Sequence, residues 1–444
     1  MIHTKGKNMK RYAIEYLKRW KTSPDRKPMI LHGARQVGKT WLAKEFGKTC
    51  YENVAYVSFY DNDIAKKIFE QGYDVAKLIP ALESITNTRI IPGKTLIILD
   101  EIQECEHALN SLKYFNENAP EYHILVTGSM LGVAVKHEHL SFPVGQVDFL
   151  TLYPLGFAEF LEATGNEMLA ENLLKGDTSV LKILHSAYIP LLKQYMFVGG
   201  MPEAVKQFAK TNNYADVRKI HKEILAGHER DFSKYTESFN VAKISAVWNS
   251  IPAQFAKEQS NFTYTTVDKN ARGRTYSDAI EWLYLCGLIY KIPKISVPNL
   301  PLPAYYDNRA FKIYMLDIGL LCAKAELPAT AIIDDETIFK EFKGALAEQY
   351  VLQEMKLLPK MPIGYWESKG KAEVDFIIQR NSQVMPIEVK ASTNIRAKSL
   401  KVYREKYTPK YSVRTSLAEF EINDGLYNIP LYLISQLNNI IPND

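Results

Sequence analysis

Two stretches of this 444-residue chain carry side chains whose types and spacing suit chemistry. The first is HGARQVGKTW, residues 32–41. Gly33, four intervening residues, then Gly38, Lys39 and Thr40 give the spacing of a phosphate-gripping loop. The glycines let the backbone curl, so that N–H groups from Gly33 through Ala34, Arg35, Gln36 and Val37 to Trp41 can point at an anion. Lys39 adds a positive charge for the β- and γ-phosphates, and Thr40 offers a hydroxyl to Mg²⁺. A helix after the loop would aim its positive end at the same phosphates. ATP with Mg²⁺ is the implied ligand. Further on, the apolar run LIILDE ends in Asp100 and Glu101. Asp100 would hold the metal through water, and Glu101 would orient or deprotonate the attacking water. A strand ending in surface acids is the plain alternative, against which the upstream loop weighs. The next apolar run ends in VTGS, where Thr127 or Ser129 would sense the γ-phosphate.

The second constellation is Glu348, Asp375, Glu388 and Lys390. Asp375 opens the run DFII, while Glu388 and Lys390 flank Val389 in PIEVK. Residues two apart on a strand share a face. If the two runs pair as a hairpin across QRNSQ, Asp375 approaches both Glu388 and Lys390. Glu348 falls on a preceding helix, next to Ala345, Leu346 and Ala347. Acids and a lysine emerging from apolar strands need partners, and a divalent metal on Asp375 and Glu388 would supply one. Such a metal polarises a phosphodiester, and the lysine positions water or offsets developing charge. An amphipathic hairpin with solvated charges is the alternative. Three smaller signals remain. Lys269, Arg272 and Arg274 in DKNARGRTY could touch phosphates or form a solvated loop. His137, Glu138 and His139 lack a third ligand nearby and read as a surface loop. His32 reads as structural.

The elements that must position these groups follow from hydrophobic patterning. KRYAIEYLKRW, residues 10–20, reads as a short helix. PMILHG, VAYVSFY, TLIILDEIQ and YHILVTGS read as strands of a parallel sheet covered on both faces, because they are apolar without alternation. This α/β unit would fill residues 1–160 and be followed by a helical lid over 161–235. Residues 236–300 run helix, glycine exit at Gly287 and strand, the order of a small winged-helix module, with Pro298, Pro301 and Pro303 marking a turn or boundary. Over 301–444 come a strand-like run FKIYMLDIGLL, an acidic loop at Asp334–Asp335, a helix near 338–357, strands GYWES, EVDFIIQ and VMPIEVK, a helix near 399–407, and a final strand.

Composition bounds the rest. Hydrophobic content of 46% and charged content of 24% are those of a globular protein. The net charge of +5 is uneven: residues 1–30 carry +7, so the remainder sums to −2. A basic leading segment can lie against nucleic acid or another anionic partner, or it can be a solvated helix end. Cys50, Cys105, Cys286 and Cys322 lie far apart, which opposes a disulfide framework or thiolate metal site and fits a reducing cytoplasm. No apolar stretch follows the leading charges as in a signal peptide, and no run is long enough to span a membrane.

GARQVGKT, LDEIQ, VTGSM and LYPLGFAEFL together resemble the prokaryotic AAA-type ATPases that carry a carboxy-terminal domain of unknown function. VGGMPEAV, KIYMLDIGLL and YWESKGKAEVDFII are similar to that partner domain. The resemblance implies a P-loop AAA-type ATPase core with a helical lid, a winged-helix middle module and a restriction-endonuclease-like α/β end bearing the D…E-x-K pattern. A homo-oligomer is compatible with it, and Arg35, Arg218 and Arg230 are candidates for a trans-acting arginine, with an ordinary surface arginine as the alternative for each. The chain departs from many relatives at Gln146, where a basic residue follows the glycine of PVGQVDFL. The expected function is an ATPase coupled to a metal-dependent nuclease-like domain acting on nucleic acid. The alternatives are a nucleotide-switched regulatory protein with a non-catalytic nuclease-like domain, and a sensor of protein partners.

Overall fold

The computed structural model describes residues 9–129, 143, 145–234, 238–256, 261–269, 273–333, 340–368, 372–393 and 398–442. His137–His139, Arg272 and Asp334–Asp335 lie outside the described residues. The chain divides into two compact units, one built from residues 11–153 with 285–287 and the other from the remainder.

The first unit is a five-stranded sheet. Its strands are β1 (Met29–His32), β2 (Asn53–Ser58), β3 (Thr95–Asp100), β4 (His123–Gly128) and β5 (Asp148–Thr151). All pairings are parallel, in the order β2-β3-β4-β1-β5. Parallel neighbours need long crossovers, and the helices Lys39–Cys50, Val75–Thr86 and Glu106–Asn118 lie in them. Every residue of β3 and β4 is buried, as their unbroken apolar runs require. Ile97, Leu99 and Val126 of these strands join one core with Phe69, Leu82, Leu112 and Phe115 from the helices. The short β5, in QVDFLT, was not among the strands expected. Because β4 lies between β1 and β3, the carboxyl ends of three adjacent strands bring the glycine loop, Thr127 and Asp100 to one edge. Ligands of open parallel sheets bind at such ends.

Much of the basic leading segment serves this unit from within. The helix Ala13–Thr22 buries Leu17 and Trp20, and the indole N–H donates to the Lys27 carbonyl at 2.8 Å. Lys21 donates to the Cys50 carbonyl, Arg26 to that of Pro120, and the Lys27 ammonium to that of Gly145. Arg11 is only 4% exposed. These four cations are tied to backbone oxygens of their own unit, which leaves fewer charges for a partner than the count of residues 1–30 suggested.

The second unit pairs helices with an eight-stranded mixed sheet. The strands are β6 (Ile289–Ile295), β7 (Tyr306–Met315), β8 (Ile363–Glu367), β9 (Glu373–Arg380), β10 (Gln383–Val389), β11 (Ser412–Ser416), β12 (Glu421–Asn423) and β13 (Leu426–Pro430). Their order is β12-β13-β11-β10-β9-β8-β6-β7. The boundary expected at residue 300 falls inside the β6–β7 hairpin, and Pro298, Pro301 and Pro303 belong to its connection. Pairing of β6 with β8 explains why no break occurs there: Ile295, Leu302, Trp366, Val374, Ile377 and Tyr403 form one buried apolar cluster. In FKIYMLDIGLL the strand stops at Met315, and Asp317 caps the helix Ile318–Lys324 by accepting from the Leu320 N–H. A side-chain oxygen at that position replaces the missing helical acceptor.

Asp317 does more than cap. It is fully buried, and Oδ2 also accepts from the Gly200 N–H at 2.6 Å and the Gln353 amide at 3.2 Å. Gln353 accepts from the Ile318 N–H and donates to the Tyr195 hydroxyl, which donates to the Leu155 carbonyl. Glu354, next along the helix Lys340–Lys356, accepts from the Phe157 N–H at 2.8 Å. The stretches PLGF, VGGM and LDIG therefore meet in one buried polar knot. Burial raises Asp317 to about 6 and Glu354 to about 8. Both values exceed those of the unfolded chain, so the folded state holds more protons and stability declines as pH rises from 4.5 through 8. Glu354→Gln keeps the acceptor for Phe157 and removes the ionisable group. Thermal unfolding followed by circular dichroism should fall less steeply between those pH values in the variant; equal slopes would contradict the assignment.

Candidate functional site

The loop between β1 and the helix Lys39–Cys50 has a geometry few sequences allow. Gly33 has φ +145°, and a Cβ there would run into the Leu152 carbonyl oxygen. Gly38, which starts the helix, has φ 95°, and Gln36 between them has φ 66°. Left-handed backbone is free for glycine and strained for glutamine. Two cations hold this curl. The Lys39 ammonium donates inward to the carbonyls of Gly33 at 2.9 Å and Ala34 at 2.7 Å. The buried Arg11 guanidinium donates to the Val37 carbonyl at 2.8 Å and to that of Tyr153 at 2.6 Å. Ala34 and Val37 are buried, whereas Arg35, Gln36 and Trp41 are exposed.

Asp100 lies opposite. It accepts from the Thr40 hydroxyl at 3.2 and 3.1 Å, from the Tyr56 hydroxyl at 2.7 Å, and from the Thr127 hydroxyl. The residues named from sequence as metal-holding, Thr40 and Asp100, are therefore in direct contact. Glu101 adopts left-handed backbone and accepts from the Gln103 amide at 2.6 Å and the Ser129 hydroxyl at 3.3 Å. Thr127 thus touches Asp100, and Ser129 touches Glu101. His32 bonds to the Thr151 hydroxyl at 2.8 Å, a contact within the sheet. Two participants had no warning in the sequence. Tyr56 lies on β2 with the Lys44 ammonium 3.6 Å from its ring centroid. Arg11 was hidden in a basic run whose charges all read alike.

The carboxylates at the far end also gather. β9 and β10 form the expected hairpin, pairing through Ile387 with Phe376, so Glu388 comes opposite Asp375. The Val389 N–H donates to Asp375 Oδ2 at 2.7 Å, and the Lys390 ammonium lies 2.7 Å from Glu388 Oε1. Glu388 is 3% exposed, and its Oε2 is buried with no hydrogen-bond partner. Glu348 arrives from the helix Lys340–Lys356, as expected, but its company was unforeseen. The Tyr314 hydroxyl donates to Glu348 Oε2 at 2.8 Å, and the Lys312 ammonium lies 3.2 Å from the same oxygen and 2.5 Å from Glu373 Oε1. Burial, then Glu348 and Glu388, raise Asp375 well above the carboxylate range, against the pull of Lys312. Burial raises Glu388 too, against Lys390. Lys312 is held well above its ordinary value, since Glu348 and the other acids outweigh the opposing effect of burial. Among the described residues, no three His, Cys, Asp or Glu side chains converge as a metal cage.

Residues 25–161 match the family model described as AAA domain. That segment is similar to AAA domains. Residues 189–331 match a Domain of unknown function (DUF8612), and residues 343–434 a second Domain of unknown function (DUF4143). No curated protein matches the chain. Among solved structures, a Walker-type ATPase of Pyrococcus abyssi is 12% identical with a TM-score of 0.45, covering 71% of this chain and 96% of its own. The ORC1 protein of Aeropyrum pernix in complex with DNA is 14% identical at a TM-score of 0.29, covering 72% and 91%. The RuvB branch migration motor of Thermotoga maritima is 13% identical at 0.29, covering 64% and 90%.

Within the AAA domain, Gln146 is engaged by its own unit, accepting from Asn116 at 2.5 Å and donating to Glu117 at 3.2 Å. Of the arginines weighed for a trans-acting role, Arg35 is exposed on the loop and Arg230 is exposed on the helix Tyr214–Lys234. Arg218 is occupied by the Leu327 carbonyl and the Phe197 ring.

Burial lowers Lys39 to about 8, opposed by Glu101 and Asp100. A bound triphosphate restores the charge, so nucleotide binding takes up protons and weakens as pH rises through 8. Titration calorimetry in buffers of different ionisation enthalpy should register uptake of about half a proton per nucleotide near that pH, and none in Lys39→Ala. Tyr56→Phe removes a hydrogen bond to a charged group, on the order of 1.5–3 kcal/mol. It should raise the Mg²⁺ concentration needed for half-maximal nucleotide binding about tenfold; an unchanged requirement would deny Tyr56 that role.

Proposed function

We propose that this chain binds and hydrolyses ATP in its AAA domain, and that its second unit acts on nucleic acid through a metal-dependent, nuclease-like site. For the first half, support comes from Asp100 meeting Thr40 beside the left-handed loop, with Glu101 next to it. The observation that carries the second half is the buried, unpartnered Oε2 of Glu388. An anionic oxygen removed from water needs a cation or a proton. The surrounding charges point the same way. Among the described residues, Glu348, Glu373 and Glu388 ion-pair with the ammoniums of Lys312 and Lys390, and Arg414 lies opposite Glu388 on β11. With Asp375 the carboxylates still outnumber these cations, an excess that Mg²⁺ or Mn²⁺ would offset, and oxygen donors suit either ion. Asp375 and Glu388 would hold it, and it would polarise a phosphodiester. Lys390 would then be released from Glu388 to orient water or offset charge on the phosphate.

The order helix Lys340–Lys356, β8, β9, β10, helix Lys398–Tyr407, β11 supports a restriction-endonuclease-like reading of this region. The helices Ser238–Ala256, Tyr264–Val267 and Gly273–Leu285 ahead of the β6–β7 hairpin support a winged-helix reading, with Lys269 and Arg274 exposed for phosphate contact. The same reading admits a homo-oligomer and a cytoplasmic setting. No helix among the described residues is long and apolar enough to cross a membrane.

A second reading has one observation in its favour. Lys312 already pairs with Glu348 and Glu373, as a purely structural cluster would require. On that reading the protein is a nucleotide-switched interaction protein with a non-catalytic nuclease-like domain.

The purified protein should hydrolyse ATP, and Lys39→Ala should lower the rate on the order of a hundredfold or more. Incubated with DNA and with RNA in Mg²⁺ or Mn²⁺, it should yield cleavage products that Asp375→Ala and Lys390→Ala abolish while ATP hydrolysis persists. An unchanged ATPase rate in Lys39→Ala would remove the first half. Failure to cleave either nucleic acid would leave the interaction protein as the better account.

A further inference from the structure

We infer that Lys312 is a built-in counter-ion that divides the acidic cluster: Glu348 and Glu373 serve its ammonium, and Asp375 and Glu388 are left to take a single divalent cation. This rests on the cation site proposed above and specifies how that site is composed.

The placement of Lys312 is the first argument. Its ammonium touches both Glu348 and Glu373, at 3.2 and 2.5 Å, and its side chain is 12% exposed. A charge so enclosed cannot leave its partners without a large desolvation cost. Tyr314, two residues along β7 and therefore on the same face, donates to Glu348 at 2.8 Å and fixes the carboxylate that receives Lys312. The Tyr365 ring lies 5.4 Å from the ammonium and adds its electron-rich face.

The second argument is what the other acids lack. Among the described residues, no ammonium bridges Asp375 and Glu388 as Lys312 bridges Glu348 and Glu373. Lys390 takes one oxygen of Glu388, and the other is buried without a partner. The absence of any convergent triple among the described residues fits a cluster divided into pairs. The ammonium also stands where a second metal would have to approach Glu348 and Glu373. A lysine ammonium is a compact point charge and can fill that role.

The third argument is provenance. Lys312 lies within the segment 189–331, whereas the four acids lie within 343–434. Part of the site's positive charge comes from a strand outside the region that carries its acidic pattern.

Isothermal titration of the full, nucleotide-free chain with MnCl₂ tests the division. The wild type should bind one Mn²⁺, lost in Glu388→Gln and kept within about threefold in affinity in Glu348→Gln and Glu373→Gln, since these acids are not ligands. Lys312→Met frees two carboxylates, so it should bind a second Mn²⁺ or bind the first about tenfold tighter. Lys312→Arg, which keeps the charge, should retain one. Loss of Mn²⁺ binding in Glu348→Gln or Glu373→Gln would overturn the inference, as would two sites in the wild type that Asp100→Asn does not reduce to one. Should Lys312→Met fail to fold, as judged by circular dichroism, the two glutamine variants decide alone. A wild type that binds no Mn²⁺ would remove the cation site itself, an outcome distinct from a wrong division of its acids.

Discussion

A carboxylate withdrawn from water has three remedies: neutral donors, a cation, or a proton. This chain uses all of them, and much of its architecture follows from which is applied where. Asp317 takes the first. Backbone N–H groups of Gly200 and Leu320 and the amide of Gln353 converge on it, with no cation in direct contact among the described residues. Asp100 is also met by neutral donors, but by hydroxyls of Thr40, Tyr56 and Thr127. Hydroxyls can turn and accept as well as donate. A backbone N–H cannot turn in this way, so the Asp317 knot fixes the fold, whereas the Asp100 group can reorganise around a metal ion. The cluster of Glu348, Glu373, Asp375 and Glu388 uses cations, and it lacks enough of them.

The same logic explains why the glycine loop keeps its curl before any phosphate arrives. Gln36 is held at a left-handed φ of 66°, which costs a non-glycine residue about 1–3 kcal/mol. Arg11 and Lys39 bond four carbonyl oxygens, three of the loop and that of the adjoining Tyr153. Lys39 can exchange its carbonyls for phosphate oxygens at little cost, because both are oxygen acceptors. Arg11 has no phosphate to turn to and serves only to hold the backbone. Two cations that look alike in the sequence thus divide into one that, on the proposed reading, would leave its partners for a phosphate and one that would stay.

The parts legible in the sequence were those governed by local pattern. The glycine loop, the acids closing β3, the β9–β10 hairpin and the helix bearing Glu348 each depend on residues a few positions apart, so spacing was enough to find them. The parts that were not legible depend on contacts between distant segments. Tyr56 reaches Asp100 from another strand, and Lys312 reaches Glu348 and Glu373 from another hairpin. Nothing near either residue distinguishes it from an ordinary half-buried strand position. The boundary expected at residue 300 failed for a related reason. Three prolines in six residues read locally as a break, but pairing of β6 with β8 is a long-range fact that outweighs it. The short β5 carried too few residues to show a pattern of its own.

That dependence on distant contacts has a consequence for how the second unit is divided. Residues 343–434 match one family model and contain every acid of the cluster. A segment cut at 343 would nonetheless lack β6, β7, Lys312 and Tyr314. The four carboxylates would lose the ammonium that pairs with Glu348 and Glu373, and β8 would lose its parallel partner along Lys294 and Ile295. Uncompensated buried acids are costly, and an exposed strand edge invites mispairing. The match therefore marks where the acidic pattern lies, whereas the smallest piece able to hold that pattern in place must extend back through the β6–β7 hairpin. Electrostatic balance and sheet closure, two independent requirements, are met by the same pair of strands.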